Sequence, residues 1–304
     1  DNTNAGLVRV SHWLDAPWPA GQPVGDTYSA EFLVSNNQYQ DEMLTYHSGD
    51  SIFFQITDLD RNSDDIIPDQ LTLDIWSETE TSHETLTLNE TDLATGIFRG
   101  WIKLDDATGV PFPDGQLQVN HGDWMYFEYI DPADDWGNVD STERQILFGA
   151  TISEQQEIST PLVFTLDNSP YLVTGEHLIN NGSLTINPGV EIFVKSPSFI
   201  NMYGGSFNAH GTEADSIRIK FLDQPYSYWG GFLFTDSCSM SYCVLDGAGS
   251  INLFDGMSIK NSRIKNFIYG VNCNGGGEII NYAFERCEIG VHFTGNYNDP
   301  VIRY

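Results

Sequence analysis

The chain is short of bases. It has 13 Lys and Arg against 43 Asp and Glu in 304 residues, a formal net charge of −30. Such a surface repels nucleic-acid phosphates and anionic membranes and attracts cations, so no nucleic-acid partner is expected. Long apolar runs are lacking too. No stretch approaches the roughly 20 residues of a membrane-spanning helix, so no membrane insertion is expected within this sequence. A basic n-region and apolar h-region are missing from its start, so any signal peptide lies outside it. There is no P-loop, Gly-x-Ser-x-Gly, His-Glu-x-x-His or Cys-x-x-Cys, and the seven His are dispersed. Cysteine is scarce: Cys238, Cys243, Cys273 and Cys287 all lie in the second half. Three disulfide pairings and four free thiols are all compatible with their positions.

Strand signals are plentiful. Residues 1–160 hold 30 of the acids and 5 of the bases, so the chain divides into a strongly acidic first unit and a more balanced second one. In the first unit, "AEFLV", "SIFFQIT", "QLTLDIW", "ETLTLNE", "GIFRGWIKL", "WMYFEYI" and "RQILFGATI" read as short strands between Gly, Asp, Asn and Pro turns. Seven such strands predict an antiparallel β-sandwich over residues 29–152. Residues 1–28 are expected to add an edge strand or to form an arm. Residues 153–165 read as a polar linker.

The pattern changes over residues 166–304. Segments such as "SLTI", "VEIFV", "SIRIKF", "MSIKNS" and "IGVHF" are very short and separated by Gly and Asn. Gly270 in "YGVNC" and Gly290 in "IGVHF" hold equivalent places, each before a Val. A period of about 20–25 residues built from three short strands predicts a parallel β-helix. Alternation places Ile217, Ile219, Phe221, Ile264, Cys287 and Ile289 inside, with Arg218, Lys220, Arg263 and Lys265 outside. The final "NDPVIRY" reads as the opening of a further coil, so the helix is expected to be incomplete there.

The run "YHSGDSIFFQITDLDRN" through "DWMYFEYIDPADDWGN" (residues 43–150) resembles the Ig-like repeat domains of prokaryotic cell-surface and S-layer-type proteins. That resemblance implies an Ig-like spacer or display module. The order of "INPGVEI", "AHGTEADSIRI" and "WGGFLF" resembles right-handed parallel β-helix domains of secreted bacterial proteins, over residues 170–304. The expectation is an all-β, extracellular or cell-surface protein: a non-enzymatic subunit of a filament, surface layer or adhesive array. Its partners would be copies of itself or neighbouring surface proteins. The alternative is a β-helix protein that binds or degrades polysaccharide, with the sandwich as accessory.

"TDLDRNSDDIIPDQ" crowds acids at the end of a strand. Asp58, Asp60, Asn62 and Asp69 fall at positions 1, 3, 5 and 12 of an EF-hand count, but position 6 is Ser63 and strands flank the run. A hard-cation site of another design remains. If "SIFFQIT" and "WMYFEYI" are strands B and F of a sandwich, the loops after them emerge at one end. They bring Asp58, Asp60, Asn62 and Asp64 toward Asp131, Asp134 and Asp135, a candidate Ca²⁺ site. The competing reading is a hydrated acidic rim. On the alternative function, the outward Arg218, Lys220, Arg263 and Lys265, with Arg286, would form the cationic face of a lyase, and Tyr226, Tyr228 and Trp229 would stack on sugar. The plainer readings are solvated strand residues, with no acidic cluster accompanying them in those strands, and a packed Trp.

Overall fold

The computed structural model describes residues 29–63, 66–106, 113–222, 231–234, 237–294 and 301–303. Residues 1–28, Asp64, Tyr226, Tyr228 and Trp229 lie outside them, and with them the expectations of an arm and of a sugar platform there. The described chain is all-β apart from two 3-10 turns, Leu59–Arg61 and Leu166–Asn168. No helix among the described residues is long and apolar enough to cross a membrane.

The first nine strands form one curled, sandwich-like sheet. They are β1 (Glu31–Ser35), β2 (Thr45–Tyr46), β3 (Ser51–Thr57), β4 (Gln70–Ser77), β5 (Glu84–Glu90), β6 (Ile97–Asp106), β7 (Gln116–Val119), β8 (Trp124–Asp131) and β9 (Asp140–Phe148). Their order is β1-β3-β6-β5-β4-β8-β9-β2, with β7 paired to β6. Strict alternation drives the curl. In β3 every second residue, Ile52, Phe54 and Ile56, is fully buried; in β8 the same holds for Met125 and Phe127. The two rows face each other across the core, and the Phe54 and Phe127 rings pack edge-on with centroids 5.0 Å apart.

The second sheet is a β-solenoid of about six turns. Its strands are β10 (Thr151–Ser153), β11 (Gln156–Ile158), β12 (Pro161–Phe164), β13 (Tyr171–Ile179), β14 (Ser183–Ile186), β15 (Glu191–Met202), β16 (Ser206–His210) and β17 (Ile217–Phe221). They continue with β18 (Gly231–Phe234), β19 (Ser237–Ser241), β20 (Cys243–Leu253), β21 (Ser258–Cys273), β22 (Glu278–Glu285), β23 (Ile289–Phe293) and β24 (Val301–Arg303). All pairings in it are parallel, and they run in three rails. One passes through Tyr171, Ile192, Ile219, Leu245, Ile264 and Phe284. A second passes through Phe164, Ile186, Ala209, Met240, Ile259, Ile279 and Ile302. The third includes Ile158, Ile179 and Met202 below and Leu253, Cys273 and Phe293 above. Short steps such as Leu245 to Ile264 and long ones such as Ile200 to Phe232 bracket the expected period. The segment read as a linker carries β11 and β12, which pair with β13 and β14 as part of the first coil.

Corners between rails need a left-handed residue, because the chain must turn sharply without breaking the ladders. Tyr242, Asn261 and Asn281 occupy one stacked corner, with φ of 52°, 50° and 50°. Asn tolerates this region better than other side chains. Here it also bonds along the axis, Asn281 donating from Nδ2 to Asn261 Oδ1 at 2.7 Å.

Ile217, Ile219, Phe221 and Ile264 are buried as expected, and Cys287 packs partly buried against the same core. Ile289 does not: it is 42 % exposed. It pairs with the outward Tyr269, and alternation restarts only at Val271 and Val291, beyond the glycine pair Gly270 and Gly290. A Cβ on Gly270 would lie 2.6 Å from the Gly290 carbonyl oxygen, so the two coils close up there and the strand phase slips. The four cysteines are free thiols. Burial pushes Cys243 up to about 12 and Cys273 up to about 11, so they behave as small apolar side chains.

A short connection, Gly149 and Ala150, joins the two sheets. Leu147, Ala150, Leu172 and Phe193 form a small buried cluster between them, with Trp124 set edge-on to Phe193 at 5.2 Å.

Candidate metal centre

The inward rows of β3 and β8 do not stop where the apolar residues stop. Alternation carries on to Asp58 after Ile52, Phe54 and Ile56, and to Asp131 after Met125, Phe127 and Tyr129. Because the rows face each other, their carboxylates must meet at one end of the core. Asp58 is fully buried and Asp131 is 1 % exposed. The 3-10 turn then brings Asp60 back over them. One oxygen from each of Asp58, Asp60 and Asp131 lies within 4.8 Å of the others.

Three carboxylates in a buried corner are costly unless something compensates. Tyr129 supplies part of the compensation, its hydroxyl donating to Asp58 Oδ2 at 2.7 Å. Asp131 accepts from the Ala133 N–H at 2.9 Å and the Ala30 N–H at 3.1 Å. Asp58 Oδ1 is buried and no donor reaches it. Burial, and then the neighbouring Asp60 and Asp131, push the Asp58 carboxyl up to about 7, although the Tyr129 hydrogen bond opposes the shift. The same burial and the Asp58 charge raise Tyr129 well above the usual phenol range. The turn is pinned from outside: Asp58 N–H donates to the Gly96 carbonyl at 2.8 Å, and a Cβ on Gly96 would lie 2.8 Å from Leu59 Cα.

Of the seven residues read from sequence, the structure gathers three. Asn62 ends the 3-10 turn beside them, its amide oxygen buried. Asp134 and Asp135 serve the loop instead. Asp134 Oδ1 accepts from the N–H of Trp136 and of Asn138, and Asp135 Oδ1 accepts from the Ser29 N–H. Asp69, the twelfth position of the EF-hand count, accepts from Ser63 N–H and Oγ–H. Tyr129 belongs to the site and escapes the sequence reading, though its place in the inward row two residues before Asp131 is legible.

An oxygen set with an orphaned acceptor, buried charge of one sign and no sulfur or imidazole fits a hard cation such as Ca²⁺. Asp58, Asp60 and Asp131 would hold it, with water completing the six to eight oxygens such an ion takes.

The basic residues of the solenoid are arranged differently. Arg218, Val244 and Arg263 are successive partners on one outward column, and Lys220, Asp246 and Lys265 on the next. Lys265 Nζ lies 3.0 Å from Asp246, Arg263 Nε lies 3.0 Å from Glu285, and Lys260 Nζ lies 2.7 Å from Glu278. Arg286 is exposed, at a corner with φ 52°. Acids of neighbouring coils, not of the same strands, pair with Arg263 and Lys265. At Arg263 and Lys265 the outward charge is compensated from coil to coil.

No protein-family model matches this chain, and no curated protein matches it.

Proposed function

We propose that this is an extracellular structural protein of a cell surface, in which Ca²⁺ locks one end of an Ig-like sandwich carried on a right-handed β-helix. The buried, donorless Oδ1 of Asp58 among three carboxylates carries the reading. Folding must either protonate that corner or place a cation in it, and at neutral pH a cation is the less costly solution where calcium is abundant. The work of such a protein is mechanical: spacing, display and assembly with copies of itself.

Binding to the folded state alone stabilises by mass action, about 2.7 kcal/mol at a hundredfold excess over the dissociation constant. The full chain should therefore melt higher in calcium than in chelator, and Asp58→Asn should abolish the difference. Identical wild-type melting curves in the two conditions would sink the calcium reading. Light scattering tests assembly: a strictly monomeric protein at all concentrations, with calcium or without, leaves only the spacer role.

A second reading is favoured by one feature, a cleft of about 290 Å³ between the two sheets. Trp124, Tyr126 and Phe193 line it beside Gln145, Glu191 and Lys220. Aromatic surface with amide and charged groups is the chemistry that holds sugars. Release of unsaturated products from uronate polymers, or retention of the protein on an insoluble polysaccharide, would favour this alternative.

A further inference from the structure

Three clefts, of about 260, 210 and 290 Å³, open on one face of the first sheet. Parity sets that face. The inward residues are Leu71, Leu73 and Ile75 in β4 and Met125, Phe127 and Tyr129 in β8, so those between them turn outward. Register then lays the outward residues in rows across β4, β8 and β9. Asp74, Glu128 and Glu143 make one row, and Trp76, Tyr126 and Gln145 the next. Asp74, Glu128 and Ile130 line the first cleft, and Trp76, Tyr126, Glu143 and Gln145 the second. Tyr126 and Gln145 also line the third, with Trp124 and the solenoid's Glu191 and Phe193. Ile130 stands six residues beyond Trp124 on one strand, so the clefts form a furrow about 20 Å long. We propose that this furrow binds an extended polysaccharide of amino sugars, cationic through its free amines. The proposal rests on the second reading above, in which the cleft between the sheets takes sugar, and it names the sugar.

The aromatic row is held in place. Trp76 stacks on His83 at 4.3 Å and on Tyr126 at 5.4 Å, with the ring planes 7° and 13° from parallel. That fixes Tyr126 where the second and third clefts meet. Trp124 is braced edge-on against Phe193. Trp124 and Tyr126 are half-buried, so part of each ring is open to a ligand. Such surfaces take the apolar C–H face of a sugar, and the Gln145 amide offers donors and an acceptor to its hydroxyls.

The carboxylate row selects the sugar. Like charges directly opposite one another across strands repel. Here Asp74 faces Glu128, and Glu128 faces Glu143. Neutral hydroxyls serve two of them: Asp74 accepts from Thr85 Oγ1 at 3.1 Å and Glu128 from Ser141 Oγ at 2.7 Å. Among the described residues no base pairs with the row. Arg144 follows Glu143 in the chain, but its guanidinium lies over the inward Phe32 ring, 5.9 Å from the centroid. Arg61 and Lys220 line the first and third clefts, at the two ends of the furrow. The negative field reaches the aromatic row: burial, and then the Glu78 and Asp123 carboxylates, raise the Tyr126 phenol. Among the described residues only the Asp58 centre brings three carboxylates within 4.8 Å of one another. The row therefore suits positive charges spread along a chain, not a single ion. Ammonium groups on successive sugars meet that demand, and a uronate polymer is repelled.

Calorimetric titration of the full chain at low salt tests the proposal. The probes are the β-1,4-linked hexamer of glucosamine, its fully N-acetylated counterpart, a hexamer of galacturonate, and hexalysine. The glucosamine hexamer should bind about tenfold or more tighter than the acetylated and galacturonate hexamers. Glu128→Gln combined with Glu143→Gln, neither residue being buried, should weaken it by about tenfold or more. Tyr126→Ala should weaken it as well. Asp58→Asn should leave it unchanged, and so should Glu213→Gln combined with Glu288→Gln on the solenoid. If the acetylated or galacturonate hexamer binds as tightly and Tyr126→Ala weakens it, the amine plays no part: this proposal falls and the second reading stands. If no sugar hexamer binds, both fall. If hexalysine matches the glucosamine hexamer and Tyr126→Ala changes neither, the attraction is to net charge and the proposal fails. It fails equally if the solenoid pair of substitutions weakens binding as much as the sheet pair.

Discussion

The two sheets of this protein dispose of charge in opposite ways. The solenoid keeps charges outside and lets successive coils neutralise one another: Lys265 meets Asp246 from the coil before, and Arg263 meets Glu285 from the coil after. In-register stacking makes this inexpensive, since any outward position has a neighbour one coil away at strand spacing. The curled first sheet has no such neighbour. Its loops collect at two ends, and its acids turn inward: Asp58, Glu80, Glu84, Glu90 and Asp131 are all buried. Where backbone donors suffice, the acid is content. Glu90 is buried, which alone would raise it, yet the N–H groups of Asp69, Gly96 and Thr95 hold its carboxyl below the usual range. Where they do not suffice, at Asp58 and Glu80, an acceptor is left over. A parallel stack thus solves its electrostatics by repetition, and a curled antiparallel sheet solves it site by site.

The largest effect that would break this contrast is a charge placed inside the stack. Ile264→Asp buries a carboxylate with no donor and should cost about 4 kcal/mol or more, unfolding the neighbouring coils. Hydrogen exchange should show the loss over β20 to β22 while β3 and β8 stay protected. Parental stability would mean that Ile264 does not face the core.

Next in size is the pH response in chelator, which should have opposite sign in the two sheets. Asp58 has its folded pKa raised to about 7 from 3.8. Its contribution is therefore present below about 3.8 and is lost as pH rises toward 7, by about 1.4 kcal/mol for each pH unit crossed. Asp58→Asn should remove that slope and, without calcium, be more stable than wild type at pH 8. Exchange rates in β3 and β8 across pH report it, and equal slopes in wild type and variant would refute the assignment.

In the solenoid, His177 is fully buried at the first coil, with Nε2 2.8 Å from Ser153 Oγ. Burial holds its imidazole below 6.5. A depressed base leaves the folded state intact above the unfolded pKa and destabilises it as pH falls through 6.5 toward the folded value. The opening of β10, β11 and β13, read as exchange relative to the intrinsic amide rate at each pH, should therefore rise on acidification below 6.5, and His177→Gln should flatten the response.

The smallest effect belongs to the ladder of ion pairs. Lys265→Met should cost no more than about 1 kcal/mol and be masked by salt, because the pair is partly exposed. A cost several times larger would show that these charges hold the coils together and do not merely decorate them.

The legible part of the molecule is what short-range alternation dictates. "SIFFQIT" and "WMYFEYI" announce their inward faces, and the same parity extended by one step reaches Asp58 and Asp131. The coil repeat is visible at Gly270 and Gly290, and so is the outward setting of Arg263 and Lys265. What stays hidden depends on competition between partners. Asp134 and Asp135 look like ligands in composition, but Asp134 closes its own turn first, two residues before the Trp136 N–H, and Asp135 accepts from the distant Ser29 N–H. Glu80 and Glu84 sit in the acidic run "SETETSHE". Only the arrival of β7, from beyond β5 and β6 in the chain, buries them. Ile289 obeys alternation in sequence and escapes it in space, because Gly270 and Gly290 let two coils approach and reset the phase. The first coil reads as a linker because its strands are very short and lean on the coils above them for their meaning.

The in-register rails also make the solenoid a ruler. Each added coil advances the chain by about 4.8 Å along the axis, whatever its corner loops contain. The step from Phe207 to Cys238 is far longer in sequence than the step from Ile259 to Ile279, yet each is one rung. Distance along this protein is counted in rungs, so corner insertions can vary in length and chemistry without moving anything carried at either end.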